Sequence, residues 1–321
     1  MDVNYIIVAH SQPALVSRLI RRLRSDNARF YVHIDKHQDL KEYSKEFISD
    51  GRVYFLNERQ RQRVNWGDDG MFKGILAALQ QIIDEKRNGY CVLLSGQDYP
   101  IKSNEQIETF FEKRNGTNFI TYGLLPWTGN LGWERVSRYK VDVSEKRGDY
   151  VYLPSVWERE FYQTDTAKKL FRLFRNRHFR FAVHLLHKRK FPSYLKPYAG
   201  PSWWALPVST VKQVLQFVQR HADYVRFHKF TFVPDEAFFQ PIVLHLHESG
   251  QTGSLAPMLT YVDWTRPSAG MPAVLRAADL QQLMDQPDEI LFARKFSLDT
   301  DTRILDLIDQ QLFSEIPAGR I

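Results

Sequence analysis

Two acids, Asp235 and Glu236, stand side by side in the run FHKFTFVPDEAFFQPIVLHL, residues 227–246, which is otherwise largely apolar and aromatic. Carboxylates are rarely buried without a partner or a purpose, because desolvation penalises their charged form. One chemistry open to them is general-base catalysis. A carboxylate with apolar neighbours has its pKa raised toward neutral pH, where it can take a proton from a hydroxyl. A second is glycoside hydrolysis by paired carboxylates, which needs the two groups to face each other across about 5 or about 6.5–9.5 Å. Adjacent residues on a helix point in different directions instead. The plainest account is a helix starting at Pro234, whose N-terminal partial charge favours acids. It explains one acid well and leaves the other, embedded in AFF, without a reason.

The elements that must position these acids follow from periodicity. NYIIVAH (4–10) is a short buried strand by its continuous β-branched run. SQPALVSRLIRRLR (11–24) is a helix with Ser11 as N-cap and Leu15, Leu19 and Leu23 on one face. Strands are expected over 29–36, 52–58, 90–96 and 118–123, and helices over 68–86 and 104–114. Strands alternating with helices imply an α/β fold: a mostly parallel, doubly wound sheet with helices on both faces. The last part, from about residue 247, reads as loop-rich and ends in a helix over 300–313.

In such sheets function gathers beyond the C-terminal ends of the strands. Those ends hold His10, Asp35, Gln97–Asp98 and Gly123. No G-x-G-x-x-G follows the first strand and no Walker A run occurs, so dinucleotide and P-loop phosphate binding lose support. A D-x-D, Asp299–Thr300–Asp301, opens the terminal helix, where it reads as a cap and a first-turn acid. There is no compact His/Cys cluster with metal-ligand spacing.

The chain of 321 residues carries a net charge of +7, which points to an anionic partner. Its single cysteine, Cys91, reads as a buried small hydrophobe and suits a reducing compartment. The N-terminus lacks the basic region of a signal peptide, and no apolar run approaches ~18 residues. Residues 166–190 are densely basic and interleaved with Phe and Leu. Two readings stay open for them: an amphipathic helix lying on an anionic membrane, or a solvated basic helix packed on the domain.

The chain resembles the core-2/I-branching β-1,6-N-acetylglucosaminyltransferases, which are similar to the peptide O-xylosyltransferases. The likeness rests on pieces in the family's order: YIIVAH, FYVHIDKH, VNWGDDGMFKGILAAL, LLSGQDYPIKSN, GPSWWALP, VPDEAFFQPIV and LFARKF. They span most of residues 4–296, and the G-Q-D-Y-P-I-K-S-N run is the most specific of them.

The resemblance implies one GT-A glycosyltransferase domain over 1–321, with 166–190 as an insertion and 247–321 completing a UDP site. It implies inversion at the anomeric carbon with Glu236 as general base and no metal or other cofactor. Arg266 and Lys295 occupy the positions that would stabilise the departing UDP, a task suited to fixed cations. Ala9, His10 and Asp35 would line the nucleotide pocket, with Trp66 and Gly67 closing over it. Asp98 would sit near the donor sugar or shape the signature loop, and Glu134 and Arg135 in GWERVSRY are acceptor candidates. Strand-end acids also cap turns, and tryptophans also fill cores.

The implied partners are a UDP-sugar donor, GlcNAc first and xylose second, and a glycan or lipid-linked oligosaccharide acceptor. Peripheral contact with an anionic membrane is a further expectation. Trp203 and Trp204 depart from the smaller or acidic residues of relatives and bear on sugar choice. With one cysteine and no spanning segment, the chain reads as a bacterial cytoplasmic enzyme of surface-polysaccharide synthesis. A basic nucleic-acid-binding protein is the non-enzymatic alternative; its charge fits, but no nucleic-acid module signature occurs and none is expected as a partner.

Overall fold

The computed structural model describes residues 1–126, 132–144, 146, 148–266 and 272–313. Its centre is a seven-stranded sheet. From one edge to the other the strands are Leu255–Ala256, Asn118–Ile120, Trp204–Pro207, Tyr90–Ser95, Val3–Ala9, Ala28–Ile34 and Val53–Phe55. Only Trp204–Pro207 runs against its neighbours. The sheet is therefore mostly parallel, as the alternating pattern requires. The one antiparallel strand was not legible beforehand, because SWWALP is short and ends in proline.

Strand alternation divides the core in two. Tyr5, Ile7 and Ala9 face the helices Pro13–Leu23 and Asn104–Lys113 and the terminal helix Arg303–Phe313. Ile6 and Val8 face Gly70–Asp84, Val208–Arg220 and Phe239–Glu248. Helices thus cover both faces, and each strand reads as a continuous apolar run because neither face meets water.

Three local expectations change. Ser11 does not cap the first helix. Gln12 does, in the left-handed region at φ 54°, and its side chain reaches away to donate to Ser297 Oγ at 2.7 Å and to accept from Leu298 N at 2.9 Å. Pro234 opens only a three-residue 3-10 turn, Pro234–Glu236, and the helix proper starts at Phe239. Residues 166–190 are not one helix. The helix Thr164–Arg175 stops where Arg177 takes φ 62°, with His178 N bonded back to Leu173 O at 3.0 Å and Arg177 N to Phe174 O at 2.9 Å. That is a Schellman ending with arginine at the position usually held by glycine.

Beyond the C-terminal end of the strand Tyr90–Ser95 a smaller sheet joins distant parts of the chain. Phe292–Arg294 lies antiparallel to Asp98–Pro100 and parallel to Thr260–Val262. Asp301 caps the terminal helix, accepting from Arg303 N at 2.9 Å, as the D-x-D reading expects. Residues 267–271 and 314–321 of the C-terminal segment lie outside the described residues.

Candidate active site

Glu236 is held by its backbone from two directions. Val233, three residues earlier, sits at φ 48°, a strained conformation for a β-branched residue, and its N–H donates to Gly67 O at 3.0 Å. Gly67 itself has φ 77°, and a Cβ there would come within 2.7 Å of the Phe232 ring. This explains why the W-G segment needs its glycine. Trp66 leans on the same ring, with centroids 5.0 Å apart. On the other side the Glu236 carbonyl accepts from Gly200 N at 2.8 Å. The segments WG, GPSW and VPDE are therefore one structural unit.

The two acids diverge. Asp235 points inward, is buried, and its Oδ2 accepts from Ser202 Oγ at 2.5 Å. Glu236 points to the partly open side, and its Oε2 accepts from Arg135 Nη2 at 2.6 Å. Burial raises the pKa of Glu236, the Arg135 guanidinium lowers it, and the Asp235 charge raises it again; the net direction is up. Asp235 is also raised, by burial first, against the opposing Ser202 bond and Arg135 charge. A carboxylate pair facing one substrate, as a hydrolase would need, is not what this geometry provides.

A second charged group completes the cluster. Arg294 lies with its guanidinium 4.0 Å from the Trp203 ring centroid, a cation–π arrangement. Its Nε is 3.4 Å from Asp98 Oδ1, across the antiparallel register that pairs the two residues. Asp98 is completely buried, accepting from Ser95 N at 2.8 Å and Ser95 Oγ at 2.6 Å. Burial raises its pKa while Arg294 and the Ser95 bonds lower it. The carboxylates of Asp98, Glu236 and Asp235 all act on Arg294. Asp98 thus shapes the signature loop and aims Arg294.

Of the residues singled out in the sequence, the structure brings Glu236, Arg135, Asp98 and Trp203 into this cluster. Trp204 is a correction: it is almost fully buried and packs in the core against Phe239, centroids 5.2 Å apart, while Trp203, also buried, carries Arg294 on its ring. Glu134 is exposed on the short helix Glu134–Ser137, whereas its neighbour Arg135 turns inward. Arg266 is a second correction. Its guanidinium is held by Asp263 Oδ2 at 2.6 Å and by both Asp279 oxygens at 3.0 and 3.1 Å, away from the Asp98 and Glu236 carboxylates that act on Arg294. Lys295 is half-buried, its backbone carbonyl accepting from Leu275 N at 2.8 Å.

The first two strand ends form a neighbouring rim. Ala9 is buried and its carbonyl accepts from Asp35 N at 2.9 Å, while His10 is exposed. Asp35 Oδ1 accepts from His37 N at 2.9 Å and Val64 N at 3.4 Å, tying the second strand end to the segment that leads into Trp66.

Three contributors escaped the sequence reading. Arg294 stands in LFARKF beside Lys295, a signal that was present but pointed one residue too far. Ser202 in GPSWW gives no sign of its role. Arg189, buried within the basic insertion, donates to Arg138 O at 2.5 Å, Phe230 O at 2.9 Å and Thr231 Oγ1 at 2.5 Å, bracing the segments on either side of the site.

Comparison with known proteins places these features in context. The family described as Core-2/I-Branching enzyme matches residues 3–284. Xylosyltransferase 2 of Homo sapiens is 21% identical over 335 residues, covering 99% of this chain and 34% of the relative. Xylosyltransferase 2 of Canis lupus familiaris is 22% identical over 338 residues, with the same coverage. Xylosyltransferase 1 of Rattus norvegicus is 20% identical over 345 residues, covering 99% of this chain and 36% of the relative. The chain spans about a third of the length of these relatives.

Proposed function

The chain belongs to the Core-2/I-branching enzyme family of glycosyltransferases, and on that premise we propose that it is an inverting transferase that moves a sugar from a UDP-sugar to a hydroxyl of a glycan acceptor. We place it on a GT-A type scaffold. The observation that carries the reading is the Glu236–Arg135 contact at 2.6 Å set beside Arg294 on the Trp203 ring.

The chemistry divides between these groups. Glu236 takes the proton of the acceptor hydroxyl as that oxygen attacks the anomeric carbon. The bond from the anomeric carbon to the UDP oxygen breaks, and its electron pair leaves on UDP. Arg294, with Lys295 beside it, stabilises the developing diphosphate charge. The raised pKa of Glu236 makes it a better base, and the Arg135 guanidinium opposes that rise. Asp235 holds the turn through Ser202, and the Trp203 ring seats the Arg294 guanidinium. Fixed cations at the leaving group do the work a divalent metal would otherwise do, so transfer is expected to persist in chelator.

Two donors remain in play. UDP-xylose follows the names of the relatives; UDP-GlcNAc follows the branching enzymes the sequence resembles. A thermal-shift screen against UDP-sugars, with and without EDTA, tests the proposal, because a ligand that binds the native state raises its melting temperature. A shift with one UDP-sugar that survives EDTA is expected. No shift with any UDP-sugar, or a shift abolished by EDTA and restored by Mn²⁺, would contradict the donor or the metal-free mechanism respectively.

A further inference from the structure

The segment 157–190 carries a surface that the transfer reaction does not use. Trp157 is 73% exposed, Phe171 68%, Phe179 59%, Val183 57% and Leu186 54%, and Phe174 stacks on Phe179 with centroids 5.6 Å apart. These side chains are not needed to fill the core beneath them. Leu173, Phe181 and Leu185 already do that against the hairpin strands Tyr139–Asp142 and Tyr150–Leu153.

The charge around them is mostly positive. Residues 157–190 hold ten Lys and Arg against Glu158, Glu160 and Asp165, so the rest of the chain balances 34 cations against 34 acids. The whole net positive charge of the protein therefore belongs to this one segment. Lys168, Arg175, Arg180, Lys188 and Lys190 are exposed, and none of them has a carboxylate partner among the described residues. Exposed Phe, Leu and Trp beside unneutralised Lys and Arg suit a surface that is apolar at depth and anionic at its rim. Nucleic acid would take the charge and a stacked ring, but it offers nothing that buries Val183 and Leu186.

We propose that this face binds an anionic phospholipid bilayer, with the aromatic and aliphatic side chains entering the interface and the cations meeting the lipid phosphates. The face is mechanically close to the site. Arg189, at the end of the same segment, is bonded to the carbonyls of Arg138 and Phe230 and to Thr231, which flank Arg135 and the Val233–Glu236 turn. Docking here sets the Glu236 cluster beside the membrane, where a lipid-linked acceptor would lie. That last consequence rests on the transferase reading; membrane binding itself does not.

The test is co-sedimentation of the full chain with vesicles of phosphatidylglycerol and phosphatidylcholine, against phosphatidylcholine alone, at about 0.15 M salt. Two variants accompany it: Arg175→Glu with Arg180→Glu and Lys188→Glu, and Phe171→Ser with Phe179→Ser. Circular dichroism and the melting temperature of the unliganded chain check that each variant is folded. Sedimentation with the anionic vesicles only is expected, reduced on the order of tenfold or more by the charge variant and clearly reduced by the phenylalanine variant. A native chain that stays in the supernatant, sediments equally with neutral vesicles, or ignores either variant overturns the proposal, as does capture by random-sequence RNA in place of vesicles. A chain that binds vesicles and transfers no sugar would sink the transferase reading and leave this one standing.

Discussion

Glu236 accepts a hydrogen bond from Arg135 at 2.6 Å, and the two differ sharply in exposure: the arginine side chain is 2% exposed and the carboxylate 28%. The cation is therefore fixed in the protein, and the acid is the partner that can reach a substrate. Burial drives the Glu236 pKa up and Arg135 restrains it. Arg135→Gln removes the restraint, so the base is protonated at higher pH and the acidic limb of the kcat profile should move upward. Arg135→Lys keeps a cation and should move it less. A limb that stays in place in Arg135→Gln would mean that another group titrates there.

Arg294 and Arg266 are expected to behave differently. Arg294 sits on Trp203 among the carboxylates of the cluster, whereas Arg266 is clamped by Asp263 and Asp279. Arg294→Ala should slow transfer by ~10²–10³, the usual cost of removing one group that stabilises developing negative charge, and should weaken UDP binding. Arg266→Ala should lower the melting temperature through the two acids left without their partner, with a smaller effect on UDP affinity. Steady-state kinetics and calorimetric titration with UDP distinguish them, and the reverse pattern would return the phosphate site to Arg266.

Asp235→Asn probes the buried acid by pH. The carboxyl's pKa is raised in the folded protein, chiefly by burial. A raised acid contributes stability that is present below its ordinary value, near ~3.9, and lost as pH rises through the folded value. Asparagine does not titrate and can still accept from Ser202. The stability of wild type relative to Asp235→Asn should therefore fall as pH rises from about 4 to neutrality. Urea unfolding at several pH values measures it, and a difference that is constant or grows with pH would contradict the burial argument.

Much of this arrangement was legible in local runs. The parallel sheet follows from apolar strands alternating with helices, and Asp98 and Glu236 stand out because each lies in a short, distinctive stretch. What could not be read were relationships set by distant pairing. Arg294 rather than Arg266 faces the cluster because Phe292–Arg294 pairs with Asp98–Pro100, and nothing local distinguishes one arginine from another. Likewise, Trp203 and Trp204 are equivalent in sequence and both are buried, and only the fold shows that Trp203 meets Arg294 while Trp204 meets Phe239. Ser11 lost the helix cap to Gln12 because Gln12 adopts a left-handed conformation held by contacts near Ser297, far along the chain. The basic segment's helix broke at Arg177, where no glycine announced a Schellman ending.

The central claim is that Glu236 is the base, and single-turnover transfer by Glu236→Gln tests it most directly. Glutamine keeps the shape and cannot take the proton. With saturating UDP-sugar and acceptor, the variant should bind the donor as wild type does and lose transfer by at least ~10². Normal turnover by Glu236→Gln, together with a dead but folded Asp235→Asn, would show that the inward-facing acid carries the chemistry instead.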